Sequence, residues 1–186
     1  FGKGSEPASV AEFEALYPLP YYAYNPGELI SNKTESIETI GFNLCDITAL
    51  PSQTGLGSID SEGAWYVPTP ALGKTIWKNN CGYTGQIYIG FDVKYSGSSA
   101  GLRFKFDYTD GTSAVIYPTT IGTSYAAVSA LSSSGKVVLD ISTDYGSGSV
   151  QTWTKNLCIN FSDSSKNGTY EPYRKDNLPL NITKLK

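Results

Sequence analysis

Between residues 85 and 117 the chain alternates apolar and polar side chains with a period of two, and it does so twice in succession. Ile87, Ile89, Phe91, Val93 and Tyr95 alternate with Tyr88, Gly90, Asp92 and Lys94; then Leu102, Phe104, Phe106 and Tyr108 alternate with Arg103, Lys105 and Asp107. Successive side chains of an extended strand point to opposite faces, so each run is a strand with one buried side. The second run meets Asp110-Gly111, the pair that favours a two-residue type I′ hairpin. That turn predicts Thr109 opposite Thr112, Phe106 opposite Val115 and Phe104 opposite Tyr117. A chain with this rhythm is committed to antiparallel sheet.

Further strands are expected at about 36–45, 64–67, 74–79, 123–130, 135–142 and 149–161, each bounded by Gly, Ser, Pro or Asn. Eight or nine such strands imply an all-β, antiparallel two-sheet sandwich. A jelly roll is the first choice and an immunoglobulin-like sandwich the second, because the Cys-Trp-Cys core spacing is missing. One short helix is expected within residues 5–17, where Ser9 and Glu12 form a capping box just after Pro7 and Val10, Phe13 and Leu16 share a face. Pro18 and Pro20 end it.

A self-match organises the chain. Tyr21, Tyr24, Leu29, Asn32 and Thr34 recur 149 residues later as Tyr170, Tyr173, Leu178, Asn181 and Thr183, the signature of a tandem array. Residues 1–33 then read as the end of a preceding module, 34–175 as a complete β-sandwich, and 176–186 as an exit strand or linker to the next. The first residue is Phe1 and there is no Met, which also reads as a piece of something longer.

Composition narrows the chemistry. The net charge is -3 and the longest basic run is Arg174-Lys175, so there is no footprint for nucleic acid. No histidine is present, which removes Ser-His-Asp and Cys-His catalysis and imidazole metal sites. No apolar run approaches the roughly 20 residues of a membrane span, and membrane insertion is not expected. Cys45, Cys81 and Cys158 match neither a zinc framework nor a redox pair; they read as buried, hydrophobe-like thiols, with a Cys45–Cys158 disulfide left open because first and last strands of a sandwich often meet. Asp46 and Asp163 stand where jelly rolls often hold a structural calcium. No EF-hand-like loop accompanies them, and no cofactor is called for.

Glycan recognition by a sandwich needs flat rings on a solvent-facing sheet or loop beside groups that hydrogen-bond hydroxyls. Trp65 next to Tyr66, Trp77 close to Asn79, and Tyr88 with the polar parity of its strand are the candidate carbohydrate-binding residues. Trp153 shares parity with Leu157, Ile159 and Phe161 and reads as core. A hydrolase would need two carboxylates facing one cleft. Asp46, Asp60, Glu62, Asp92, Asp107, Asp110, Asp140, Asp144 and Asp163 read instead as scattered singly on solvated positions, and no catalytic residue is assigned.

Both ends of the chain carry a more specific pattern. Phe1-Gly2-Lys3-Gly4-Ser5-Glu6-Pro7, then Ala11-Glu12-Phe13 and Tyr17-Pro18, resembles the ending of modules in tail-fibre and minor-tail proteins of bacteriophages and prophages of Firmicutes, and in related bacterial surface proteins. Asn156-Leu157-Cys158-Ile159-Asn160-Phe161-Ser162, followed by Asn167-Gly168-Thr169-Tyr170-Glu171-Pro172-Tyr173, resembles their closing strand and exit; Gly41-Phe42-Asn43-Leu44 resembles their opening strand. The middle is similar only to a generic carbohydrate-binding-module-like jelly roll. The resemblance implies a non-catalytic module of a virion tail or of an extracellular, cell-surface protein. It would bind a cell-surface glycan, or serve purely as a structural spacer, beside adjacent modules of the same polypeptide and in a homotrimer.

Overall fold

The computed structural model describes residues 36–146 and 150–179. The expected helix within 5–17 lies outside them. Two compact units are present. One is a two-stranded antiparallel ribbon, β1 (Ser36–Ile40) with β11 (Lys175–Pro179). The other, Gly41–Tyr173, is the sandwich.

The sandwich is two antiparallel sheets. Its five-stranded sheet runs in the order β2 (Ser58–Ile59), β3 (Trp65–Val67), β10 (Thr152–Asn160), β5 (Tyr88–Tyr95), β8 (Ala126–Leu131). The four-stranded sheet runs β4 (Thr75–Lys78), β9 (Val138–Tyr145), β6 (Leu102–Tyr108), β7 (Ser113–Ile116). Sequence neighbours other than β2–β3 and β6–β7 are not paired in the sheets, so most connections cross between layers, as a sandwich of this kind requires. The all-β, two-sheet expectation holds, with a single short α-helix, α1 (Leu50–Thr54), among the described residues.

The alternation of β5 and β6 does what period two dictates. Ile89, Phe91, Val93 and Tyr95 from one sheet meet Leu102, Phe104, Phe106 and Tyr108 from the other in a continuous core, with Phe91 edge-on to Phe104 at 4.8 Å. Thr152 Oγ1 accepts the Leu102 N–H at 2.8 Å and Tyr95 Oη donates to the Leu102 carbonyl at 3.1 Å, so buried polar groups tie the layers together. Desolvation of that phenol pushes its pKa up to about 12.

The β6–β7 hairpin differs from expectation by one residue. Phe104 faces Ile116 and Phe106 faces Ala114. Tyr108 N–H donates to the Thr112 carbonyl and Gly111 N–H to the Tyr108 carbonyl, both at 3.0 Å, with Gly111 at φ 80°. This is a three-residue loop, a type I turn followed by glycine in the left-handed region. A type I′ turn would need positive φ at Asp110 as well, but Asn156 is the only non-glycine described with positive φ. Asp110 instead accepts from the Thr112 amide and hydroxyl, which favours the longer loop.

The opening and closing segments of the sandwich are locked together by Asn43, which is 1% exposed. Its Nδ2 donates to the carbonyls of Leu157 (2.9 Å) and Glu171 (3.0 Å), and its Oδ1 accepts from the amides of Cys45 (3.0 Å) and Ile159 (3.1 Å). Glu171 returns a carboxylate oxygen to the Phe42 N–H at 2.6 Å, and Leu44 N–H donates to the Ile159 carbonyl at 2.9 Å. The opening motif Gly41–Leu44 and the closing motifs around Asn156–Ser162 and Glu171 are therefore a clasp, while the Phe1–Pro18 motif lies outside the described residues. Cys45 faces the core and Cys158 the outer surface; both are buried free thiols, and Cys81 is an exposed one. Burial raises the pKa of Cys45 and pushes Cys158 up to about 11, which leaves both unreactive at neutral pH.

Candidate functional site

The outer face of the five-stranded sheet gathers rings, cations and amides. On β3 only Tyr66 points outward, because the two residues beside it, Trp65 and Val67, point in. Tyr66 lies opposite Trp153 of β10, and the two rings meet at 5.0 Å and 30°. Trp153 lies opposite Lys94 of β5, whose ammonium sits 5.1 Å from the Trp153 ring centre and 4.7 Å from that of Tyr125. Lys155 comes from the same face of β10, 4.0 Å from the Tyr125 ring centre. Beside it Asn156 Nδ2 donates to Asp92 Oδ2 at 2.6 Å. Further along the same face a shallow hollow of about 240 Å³ is lined by Tyr88, Gly90, Asp92, Asn156, Cys158 and Tyr170, among others. Tyr88 lies flat over Gly90, where an added Cβ would come within 2.5 Å of the Tyr88 hydroxyl. Glycine keeps that ring down on the sheet.

Trp153 corrects the expectation that it belongs to the core. A β-bulge separates Lys155 from Cys158 in the register with β5, with Asn156 at φ 53°. The extra residue inverts the side-chain parity along β10. Leu157 and Ile159 are thus buried at 1% and 0%, while Trp153 and Lys155 face out, half-buried. The clue was in the sequence: Lys155 shares Trp153's parity, and a lysine does not fit a core face.

Three expected site residues lie elsewhere. Trp65 is 0% exposed, stacked at 6.4 Å on Phe104, and its Nε1 donates to the Leu56 carbonyl at 2.8 Å, so it has no face to offer a sugar. Trp77 lies opposite the fully buried Ile141 and packs against the core and against Phe161 at 6.1 Å. Asn79 spends its amide within the scaffold, donating to the Tyr83 and Val138 carbonyls and accepting from the Tyr83 N–H. Tyr66 and Tyr88 are the two expected residues that the fold brings to one face, at its two ends. Tyr88, however, is buried at 7% exposure, which corrects the expectation of a solvent-facing ring there and leaves Tyr66 as the one that offers a face. Tyr125, Lys94, Lys155 and Tyr170 join them without having been singled out. A second hollow, about 270 Å³, is floored by Phe161 stacked on Tyr83 at 4.5 Å.

The opposite outer face, on the four-stranded sheet, is charged. There the expectation of singly scattered acids fails, because Asp107 and Asp140 lie directly opposite one another on β6 and β9. Asp107 accepts from Lys105 Nζ at 2.7 Å and from the Ser142 hydroxyl. Desolvation and the Asp107 charge hold Asp140 above the usual carboxylate range. The pair stands on a sheet face, and neither hollow described above contains two acids. Asp46 and Asp163, considered for calcium, each cap a 3₁₀ helix, Ile47–Ala49 and Ser164–Lys166, through the amides of Thr48 and Ser165. Among the described residues no three acidic or Cys side chains converge on one point.

No protein-family model matches the chain, and no curated protein does. Several solved structures are similar at low identity. "BiXyn10A CBM1 APO" is 14% identical with a TM-score of 0.42, over 69% of this chain and 93% of that one. A variant of CBM29-2, a family 29 carbohydrate binding module complexed with cellulohexaose, is 18% identical with a TM-score of 0.42, over 69% and 92%. The CBM22-1–GH10 modules of Clostridium thermocellum xylanase 10B complexed with xylohexaose are 11% identical with a TM-score of 0.39, over 71% and 26%.

Proposed function

We propose that this chain is a non-catalytic β-sandwich module that binds cell-surface carbohydrate through the outer face of its five-stranded sheet. The observation that carries the reading is the paired Tyr66 and Trp153 rings, half-buried on a sheet face with Lys94, Asp92 and Asn156 beside them. Sugars present C–H patches that stack on such rings and hydroxyls that need donors and acceptors at their rim. Non-catalytic action is favoured by the placement of Asp107 and Asp140 on the opposite face, flat and away from the rings. In this reading the module belongs to a phage tail or bacterial extracellular protein, next to sister modules, in a homotrimer. The terminal motifs and the 149-residue self-match support that context.

A glycan array of cell-wall and capsular oligosaccharides tests it, wild type beside Trp153→Ala. Binding in the micromolar to millimolar range that falls at least about fivefold in the variant is expected, since ring stacking contributes on the order of 1 kcal/mol or more. Silence across the array favours the second reading, a structural spacer repeat, which the clasp and the shallowness of both hollows also suit.

A further inference from the structure

The cations on this face are not absorbed by the scaffold. Lys94 and Lys155 come from neighbouring strands and place their ammonium groups 4.7 Å and 4.0 Å from the centre of one ring, Tyr125. Among the described residues the ion pairs are Arg103–Asp144, Lys105–Asp107 and Lys136–Asp110, and neither Lys94 nor Lys155 is in one. Asp92, which lies opposite Lys155 in the strand register, is taken up by Asn156 instead. Two like charges are therefore held over one ring with no carboxylate in ion-pair contact with either, and each raises the local potential felt by the other. A second feature is independent of the first. The Tyr125 hydroxyl is shielded from solvent and has no hydrogen-bond partner, an arrangement that costs free energy until something supplies one. Burial first, and then the charges of Asp60, Glu62 and Asp92, raise its pKa, so it stays a neutral donor.

We propose that the glycan bound on this face is anionic, a sugar carrying a carboxylate or a sulfate ester, whose negative group lies between Lys94 and Lys155 while a neighbouring sugar hydroxyl partners Tyr125. This rests on the glycan-binding reading above and adds the class of sugar to it. A neutral sugar would stack on Trp153 and leave both ammonium groups unanswered. An anion relieves their mutual repulsion and gains two charge-assisted contacts.

Calorimetric titration of the full chain with oligogalacturonate, sulfated carrageenan oligosaccharide and neutral cellohexaose, at low and high salt, tests the proposal. At low salt at least one acidic arm is expected to bind about tenfold or more tighter than the neutral one, with the advantage shrinking as salt screens it. Which acidic arm binds distinguishes carboxylate from sulfate. The double variant Lys94→Gln/Lys155→Gln should lose the advantage, while Lys78→Gln on the other sheet should keep it. Equal binding of acidic and neutral sugars, or an acidic preference that survives the double variant, overturns the proposal and leaves the glycan reading standing. If no sugar of either kind binds, and the array is silent too, both fall.

Discussion

Asn43 offers the sharpest stability test. Replacing it with alanine removes four hydrogen bonds at once: two donated to the Leu157 and Glu171 carbonyls and two accepted from the Cys45 and Ile159 amides. Each bond contributes about 1 kcal/mol net, and each partner left buried without water costs somewhat more, so the expected loss is about 3 to 5 kcal/mol. A domain of this size has only about 5 to 15 kcal/mol in total. With a urea slope of about 2 kcal/mol/M the unfolding midpoint should fall by roughly 2 M. Fluorescence of the buried Trp65 reports the transition. Asn43→Asp sharpens the test. It keeps an oxygen for the two amides but aims a second oxygen at two carbonyls, which lifts the carboxyl's folded-state pKa above its unfolded value. Its deficit relative to wild type should therefore be smallest at acid pH, grow as pH rises through the unfolded value, and be complete above the folded one. A loss below about 1 kcal/mol for Asn43→Ala would refute the clasp.

Other perturbations separate the remaining claims. Asn156 sits at φ 53° in the β10 bulge, so Asn156→Val should lower stability by about 1 to 2 kcal/mol, while Asn156→Gly should cost less than that in a thermal melt. Asp140 is raised by burial and by Asp107; ionising it in the fold is unfavourable, a cost absent at pH 3 and growing as pH rises through the unfolded carboxylate range. Asp140→Asn should therefore raise the melting temperature at pH 7 and leave it unchanged at pH 3. Trp65→Ala should cost about 3 to 5 kcal/mol as a core truncation, whereas Tyr66→Ala should weaken sugar binding with a stability cost near 1 kcal/mol, read by calorimetry and urea unfolding on the same samples.

What the sequence made legible follows from what period two can and cannot encode. The core of β5 and β6 was readable residue by residue, because nothing interrupts their alternation. The same rule misled at β10, where one bulged residue inverts parity and moves Trp153 from core to surface. It also erred where adjacency in sequence was taken for adjacency in space: Trp65 and Tyr66 are neighbours whose side chains point to opposite faces of β3. Asp107 and Asp140 could be paired only once β6 and β9 were known to be partners. Tyr125 carried no periodic signal. Its place over the sheet depends on two lysines arriving from strands distant in sequence.

The most direct measurement is a map of where a sugar touches. With ¹⁵N-labelled protein and the oligosaccharide that binds most tightly on the array, the amide shifts that move should cluster at Tyr66, Asp92 to Lys94, Tyr125 to Ala127 and Trp153 to Asn156. Movements centred on the charged face around Asp107 and Asp140, or on the Tyr83–Phe161 hollow, would contradict the account.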